Sequence, residues 1–360
     1  MSSRVEPFQA ISLSNLAHRL KAEGRSIIHM EFGQPSTGAP RAAIETAHRV
    51  LDADGMGYWE SEPLKARIAR HYDETYGVAV DPTQLVLTCG ASAALVLALA
   101  STFSPGHPVE IECGAETRFQ ITAAQIAALD PVLAGVIVAS PANPTGTIIP
   151  AEEMAAIAQI CRERNIRILS DEIYHGISYV APARSMLEFE PNALVINSFS
   201  KYFSMVGWRL GWLLTPMDRR QSARAYVSNM FLTAPSLSQH AALTAMDCRD
   251  ELEANVEVYR ANRALVLEAL PRLGLRSIAP PDGAFYVYAN VGHLTDDSME
   301  FCKQLLRDTG VATAPGVDFD PVEGRHFIRI SFAVSTPEVE EALRRMTPWF
   351  AARMAEVAAV

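Results

Sequence analysis

The sequence predicts an α/β protein with a mostly parallel sheet flanked by helices, followed by a smaller α+β region. Short apolar runs, typical of buried strands, alternate with longer segments of helical spacing as far as Leu214. Beyond Leu214, long helical stretches come first and strand-like runs follow. The predicted strands are residues 27–32, 85–88, 132–140, 166–169, 194–196, 284–288 and 327–332.

The helices are predicted from apolar spacing and from residues that end helices. In residues 4–23, Ile11, Leu16 and Leu20 recur near helical spacing, and Gly24 is a stop signal. Further helices are predicted at residues 40–53, 151–164, 219–230, 235–248 and 250–270, with two more after Gly57 and after Gly90.

The composition is that of a globular protein long enough for two domains, with 360 residues and a net charge of −10. No basic block is present, so nucleic acid is not an expected partner. The longest apolar run, residues 93–100, is far too short for a membrane span, and the N-terminus lacks a signal-peptide core. These features predict a cytoplasmic protein that does not contact membranes.

The cysteines and histidines do not form patterns typical of disulfides or metal sites. The five cysteines are widely spaced without a CxxC pair, and the nine histidines include no HxxxH or HExxH pair. We therefore expect buried thiols, no disulfide framework and no metal centre.

Lys201 is placed unusually for a lysine, because it closely follows the apolar run 194–196. It could simply extend from the strand end into water. A desolvated lysine, however, loses proton affinity and becomes an amine nucleophile suited to a Schiff base. Arg209 follows between Gly207 and Gly211 and offers a permanently charged fork. An amine beside such a fork points to an anionic aldehyde, and pyridoxal 5'-phosphate (PLP) is one.

A strand, a turn of small residues and a helix start occur at residues 85–92. The turn contains Gly90, Ala91 and Ser92. This arrangement directs backbone N–H groups and the helix dipole towards an anion, although the same residues also fit a plain helix N-cap. Beside Lys201 and Arg209 the turn becomes the natural place for a phosphate.

Five more residues have a structural and a functional interpretation, and the residues alone leave both open. Each could be a turn residue, a helix cap, a core aromatic or a solvent-facing side chain. They are Gly33 after the first strand, Tyr58 in a glycine-flanked segment, Asn143 in a proline-rich loop, Asp171 after the strand at 166–169, and Arg329 in the last strand.

The strings around these residues resemble the class I and II aminotransferases, which are PLP enzymes of fold type I. Four motifs occur in order: Asn143-Pro-Thr-Gly, Asp171-Glu-Ile-Tyr, Ser198-Phe-Ser-Lys with Gly-Trp-Arg-Leu-Gly, and Arg329-Ile-Ser-Phe-Ala. The resemblance implies a large PLP-binding domain over residues 36–235. It also implies a small domain formed by both termini, residues 1–35 and 236–360.

The resemblance also assigns roles to the candidate residues. Lys201 would form the Schiff base and act in catalysis. Phosphate binding would fall to Gly90, Ala91, Ser92, Ser198, Ser200 and Arg209, with Tyr58 donated by the neighbouring subunit of a homodimer. Asp171 would pair with the pyridine nitrogen, Tyr174 and Asn143 would bond the ring 3-oxygen, and Arg329, Asn143 and the Gly33 backbone would bind the substrate carboxylate.

The implied reaction moves an amino group from an amino acid to a 2-oxo acid. Two other functions remain open on the same fold. One is a PLP-dependent C–S β-lyase acting on cysteine conjugates, since only the substrate pocket would differ. The other is a PLP-binding effector module joined to a DNA-binding domain, although residues 1–30 show no basic or helix-turn-helix pattern.

The sequence departs from the family between His107 and Val109. Family members carry a strand, a Pro-x-Tyr-Pro turn and a helix there, whereas residues 108–120 already resemble the strand and loop that follow. The lost turn supplies the aromatic residue that stacks on the PLP ring, so that residue has no candidate. A PLP-binding protein of reduced activity is therefore a third alternative.

Overall fold

The computed structural model describes residues 9–53, 55–130 and 132–359, which form two compact units. The central unit comprises residues 38–142 and 147–256, and the terminal unit comprises 9–37, 143–146 and 257–359. The later boundary follows residue 256, whereas the sequence suggested residue 235. The helix that starts at Ser236 packs on helices of the central unit, which explains the difference.

The predicted helices and strands are found in the predicted order. None of these helices is both long and apolar enough to span a membrane. The helices are α1 (Gln9–Ala22), α2 (Arg41–Ala53), α3 (Glu62–Tyr76), α4 (Ala91–Thr102), α5 (Ala123–Ala128), α6 (Ala151–Glu163), α7 (Arg220–Met230), α8 (Ser236–Ala245), α9 (Arg249–Ala269), α10 (Ser298–Thr309) and α11 (Thr336–Ala358). The strands are β1 (Ile28–Met30), β2 (Leu85–Thr88), β3 (Gly135–Ala139), β4 (Arg167–Asp171), β5 (Leu194–Ser198), β6 (Gly211–Leu214), β7 (Tyr286–Asn290), β8 (Val311–Pro315) and β9 (Phe327–Ser331). The structure adds α5, β6, α10, β8 and α11, which were not predicted from the sequence.

The central unit is built on a five-stranded sheet in the order β2-β6-β5-β4-β3. Strand β6 runs antiparallel to β2 and β5, while β5, β4 and β3 are mutually parallel. The predicted mostly parallel sheet is therefore confirmed.

Both faces of this sheet are covered, which explains the uninterrupted apolar runs in its strands. Val195 belongs to one core together with Trp212, whereas Leu194 and Ile196 belong to the core on the other face together with Leu213. Successive side chains of a strand point to opposite faces, so a strand covered on both sides needs apolar residues at consecutive positions.

The terminal unit contains a mixed four-stranded sheet in the order β1-β8-β9-β7. Strand β1 pairs parallel with β8, and β9 pairs antiparallel with β8 and β7. Helices α1, α10 and α11 pack against β8. The expected smaller α+β region is thus present, and its sheet joins a strand near the N-terminus to strands near the C-terminus.

Residues 108–120, which resemble a strand and loop of the family, contain no strand. Residues 104–110 are exposed and have no regular structure. Val109 and Ile111 alternate with Glu110 and Glu112, as in a half-buried strand, but a strand also needs a partner. In the described sheet, β3 is the edge strand and pairs with β4 alone.

Ser61→Ala should lower the free energy of unfolding by about 1 kcal/mol, because Ser61 is the N-cap of α3. Its buried side chain accepts a hydrogen bond of 3.2 Å from Leu64 N. Urea unfolding followed by tryptophan fluorescence measures the change. Ser12→Ala, at an exposed position of α1, is the matched control and should cost nothing. Equal stability of the two variants would contradict the capping role.

Candidate functional site

Lys201 lies in the loop that follows β5. Phe199 N donates to Leu210 O at 3.0 Å, and Met205 N donates to Phe199 O at 3.0 Å, so the loop folds back on the end of the strand. Lys201 is half-buried, and its Nζ lies 5.7 Å from the centroid of the Tyr174 ring. The amine is therefore held near buried groups at the strand end.

Asp171 is the last residue of β4 and pairs in register with Ile196 of β5. Burial raises the pKa of Asp171 to about 6, opposed by the hydrogen bond of 3.2 Å from Ile173 N and by the positive charge of Lys201. The carboxyl group and the amine thus interact electrostatically. Because β4 and β5 are parallel neighbours, their carboxyl ends lie side by side, which brings Asp171 close to the loop that carries Lys201.

Arg209 lies against the turn between β2 and α4. A Cβ atom on Gly90 would be 2.4 Å from Arg209 Nη2, and Gly90 has a φ of 90°, so glycine is required there for both reasons. The guanidinium donates to Cys89 O at 3.3 Å and to Val206 O at 3.0 Å, and the side chain is otherwise exposed. The turn and the arginine thus lie side by side and form one positively charged surface.

The N-terminus of α4 adds backbone donors to this surface. The helix begins at Ala91, and its N-cap Gly90 provides no side-chain hydrogen bond. Ala91 and Ser92 are therefore at the positive end of the helix dipole without a capping side chain, and Ser92 is exposed. An anion is the ligand that such a helix start favours.

Ser198 and Ser200 are buried beside each other, with 3.0 Å between their Oγ atoms. Ser198 Oγ accepts from Ser200 N at 3.1 Å and lies 3.1 Å from Leu210 O, to which it can donate. Ser198 therefore connects the end of β5 to the segment before β6. These hydrogen bonds fix the start of the loop that carries Lys201.

Arg329 of β9 is buried in the terminal unit, although a strand arginine would usually face water. Its Nη1 donates to Asn143 Oδ1 at 2.6 Å and its Nη2 donates to Glu31 O at 2.5 Å. The guanidinium lies between two rings, 4.5 Å from the centroid of Tyr286 and 4.6 Å from that of Phe319. Its Nε is buried without a hydrogen-bond partner.

Gly33 lies next to the Tyr286 ring, which contacts Arg329, at a position where a side chain would not fit. A Cβ atom at Gly33 would be 1.5 Å from Tyr286 Oη. The backbone of the Gly33 segment and the Tyr286 ring thus enclose the same space. Neither Tyr286 nor Phe319 was selected from the sequence. For Tyr286 a signal was available, because it is an aromatic residue in β7, which pairs with the strand that carries Arg329.

Tyr58 is 84% exposed in the single chain, yet the segment around it is firmly bound. Ser236 Oγ donates to Gly57 O at 2.7 Å, and Thr233 Oγ1 donates to Trp59 O at 2.6 Å. The Trp59 ring also stacks on His240, with 4.4 Å between centroids. A large aromatic residue is therefore presented outward on a well-fixed segment.

Comparison with known proteins assigns the chain to a family. Residues 103–346 match the family model for aminotransferase class I and II. The chain belongs to this family. It is 42% identical to the valine–pyruvate aminotransferase of Mycobacterium tuberculosis, an alignment that covers 96% of each protein. It is 31% identical to the (5-formylfuran-3-yl)methyl phosphate transaminase of Methanocaldococcus jannaschii, over 95% of this chain and 96% of that protein.

Solved structures lead to the same conclusion. The crystal structure of an aminotransferase from Mycobacterium tuberculosis matches with a TM-score of 0.94 and 41% identity, over 97% of each chain. A mutant aspartate aminotransferase of Thermus thermophilus matches with a TM-score of 0.89 and 27% identity, over 96% of this chain and 97% of that one. The predicted fold type I and the predicted transaminase activity are confirmed: the enzyme moves an amino group between amino and 2-oxo acids.

The aminotransferase alignment also bears on the missing segment. The alignment with the valine–pyruvate aminotransferase is 374 positions long, which exceeds the 360 residues of this chain. Some positions of that relative therefore have no counterpart here.

Asp171→Asn should stabilise the cofactor-free aminotransferase at pH 7 by about 1 to 2 kcal/mol. The folded pKa of Asp171, about 6, exceeds its ordinary value of 3.8, so the contribution of Asp171 to stability is full below about pH 4 and is lost as the pH rises through 6. Asparagine does not titrate and lacks this loss. The measurement is the thermal midpoint between pH 4 and pH 7.

Asp52→Asn, at an exposed position of α2, is the control and should leave that pH dependence unchanged. If the thermal midpoint of Asp171→Asn falls with pH as steeply as that of the wild type, the ionisation of buried Asp171 does not cause the fall.

Proposed function

We propose that this aminotransferase binds PLP in the central unit, with Lys201 as the amine that binds its aldehyde. The observation that carries the proposal is the interaction of the Lys201 charge with the Asp171 carboxyl group at the ends of β5 and β4. When bound, PLP supplies an aldehyde that condenses with amines and a protonated ring that takes up electrons.

The proposed phosphate site is the surface formed by Arg209 and the start of α4. Support comes from the close approach of the Arg209 guanidinium to the Gly90 backbone, which only glycine permits, and from the start of α4 at Ala91 and Ser92, which has no capping side chain. An arginine fork and a helix N-terminus are suited to a dianion. Ser198 and Ser200 complete the proposed set, with Ser198 fixing the Lys201 loop.

The proposed partner of the ring nitrogen is Asp171. Burial of its carboxylate is unfavourable in the cofactor-free protein, and a protonated ring nitrogen would compensate the charge. Tyr174, buried and 5.7 Å from Lys201 Nζ, is the proposed donor to the ring 3-oxygen, together with Asn143.

We further propose that Arg329 binds the substrate carboxylate. Its guanidinium plane is fixed by Asn143, the Glu31 carbonyl and two aromatic rings, and its Nε–H has no hydrogen-bond partner. A preoriented fork suits a planar carboxylate, and the Gly33 backbone is the proposed second contact. Valine and pyruvate are the first donor and acceptor to test, since the Mycobacterium tuberculosis relative is named for them.

The chain's own groups then divide the reaction between them. Arg329 would hold the amino acid by its carboxylate and so restrict the orientation of its Cα–H bond. Lys201 Nζ, once the substrate amine has taken its place on the aldehyde, would accept the proton from Cα of the donor amino acid, and in the second half of the cycle it would deliver a proton to Cα of the product amino acid. Asp171 would supply a negative charge that stabilises the protonated form of the ring nitrogen.

A homodimer is the proposed assembly, and the cytoplasm is the proposed location. Tyr58 supports the dimer because it is exposed on a segment held by side chains of α8 and the residues before it. In the proposed dimer the Tyr58 hydroxyl reaches the phosphate site of the partner, so that each site contains a residue of both subunits.

Lys201→Ala should abolish transamination and the covalent attachment of PLP. In the wild type saturated with PLP, borohydride should attach the cofactor permanently to Lys201, which mass spectrometry of the digested protein detects. Lys303→Ala, in α10, removes another lysine and should behave as the wild type. Cofactor attached to Lys201→Ala after reduction would rule out Lys201 as the binding amine.

Arg329→Lys should raise KM for both amino acid and 2-oxo acid by about 10- to 100-fold, with a smaller effect on kcat, because lysine keeps the charge and loses the planar fork. Arg325→Lys, an exposed neighbour in the chain, is the matched control. Steady-state kinetics with varied donor and acceptor provide the measurement. An unchanged KM for both substrates would show that their carboxylates bind elsewhere.

A further inference from the structure

Glu172, the residue after Asp171, is buried and bonded on one side only. Its Oε1 accepts from Ser170 Oγ at 3.0 Å, from Ser185 Oγ at 3.2 Å and from Met186 N at 2.9 Å. Its Oε2 is buried without a hydrogen-bond partner. A protonated carboxyl group can have this arrangement, with Oε1 as the accepting carbonyl oxygen and the proton on Oε2, whereas an ionised group would leave a charged oxygen buried without any donor.

The basic group nearest to Oε2 is His175, whose Nδ1 lies 3.6 Å away. His175 Nε2 lies 2.9 Å from Ser140 O, and a carbonyl oxygen only accepts, so Nε2 carries a proton. Nδ1 is 2.6 Å from Tyr76 Oη. Burial lowers the pKa of His175 to about 3, so the ring is neutral and Nδ1 accepts the tyrosine proton. His175 therefore supplies no positive charge to Glu172.

A carboxylate buried without a cation is much less stable than a neutral carboxyl group. Burial raises the pKa of Glu172 to about 8, opposed by its three hydrogen bonds and reinforced by the negative charge of Asp171. The other titratable side chains that act on Glu172 or His175 from α3 include Tyr72 and Tyr76, and a tyrosine carries no positive charge at any pH. Burial raises the pKa of Tyr72 and of Tyr76 on α3, and Glu188 acts on Tyr76 as a negative charge.

We propose that Glu172 is a positioning residue that holds a proton at neutral pH, so that it fixes the end of β4 without adding a second negative charge beside Asp171. Its carboxyl group ties Ser170 of β4 to the turn at Ser185 and Met186. An ionised neighbour would oppose the ionisation of Asp171. The benefit for catalysis rests on the proposed function of Asp171, whereas the protonation of Glu172 does not.

Infrared spectroscopy of the purified full chain tests the proposal directly, because a protonated carboxyl group has a C=O band that a carboxylate lacks. At pH 7 the wild type should show this band and Glu172→Gln should lack it. In the wild type the band should disappear as the pH is raised to about 10. If Glu172→Gln at pH 7 instead keeps the protonated C=O band of the wild type and loses carboxylate absorption, Glu172 is ionised and the proposal is overturned.

Glu188→Gln is the matched control for the infrared measurement. Glu188 lies in the same turn and accepts from Ser185 N at 2.9 Å, but it is paired with Arg184. The protonated band should remain in this variant. If Glu172→Gln does not fold, wild type labelled with carbon-13 glutamate replaces it. The band must then shift on labelling, and its absence at pH 7 would overturn the proposal.

The pH dependence of stability gives a second readout that a merely structural role would not change. The folded pKa of Glu172, about 8, exceeds its ordinary value of 4.5, so the contribution of Glu172 to stability is full below about pH 4.5 and is lost as the pH rises through 8. Glu172→Gln should lack this decline, and the difference in slope should correspond to about one proton per molecule. Equal slopes in the two proteins would overturn the proposal.

These measurements separate the proposal from the proposed function. Neither readout needs bound PLP or activity, so a failure of Lys201 to bind PLP leaves the Glu172 result intact. Conversely, a carboxylate at Glu172 would leave the roles of Lys201 and Asp171 unchanged.

Discussion

Strand pairing around β6 is the constraint on which the candidate PLP site depends. Gly211, the first residue of β6, pairs with Thr88 of β2 on one side and with Ser198 of β5 on the other. This register places the turn at Gly90, the arginine before β6 and the loop after β5 side by side, where β2 and β5 end and β6 begins. The parallel pairing of β5 with β4 then adds Asp171 to the same edge.

Charged groups at these positions are maintained at a cost to the fold. Burial of Asp171 raises its pKa and disfavours its charge, and Lys201 offsets only part of that effect. Arg329 likewise lies buried between two aromatic rings with an N–H group left unbonded. In the proposed function, a ligand group of opposite charge at each of these positions would offset that cost.

The exposed segment at residues 104–110 coincides with the place where the sequence departs from its family. In the described sheet β3 is left as an edge strand, and Ile137 within it is 54% exposed. An unpaired edge with apolar side chains is usually covered in folded proteins. The alignment with the valine–pyruvate aminotransferase contains positions that have no counterpart in this chain, while the four motifs that resemble the family are all present.

The sequence by itself determined the fold class, many of the helices and strands, and the family, because apolar periodicity and short motifs are local properties. Lys201 was selected from its position after an apolar run, whereas Asp171 and Arg329 were selected only through the motifs that resemble the family. Tertiary structure alone decided that residues 108–113 form no strand, because a strand depends on a partner distant in sequence. It also decided the environments of Glu172 and Arg329, because burial and hydrogen-bond partners come from segments that the chain brings together only on folding.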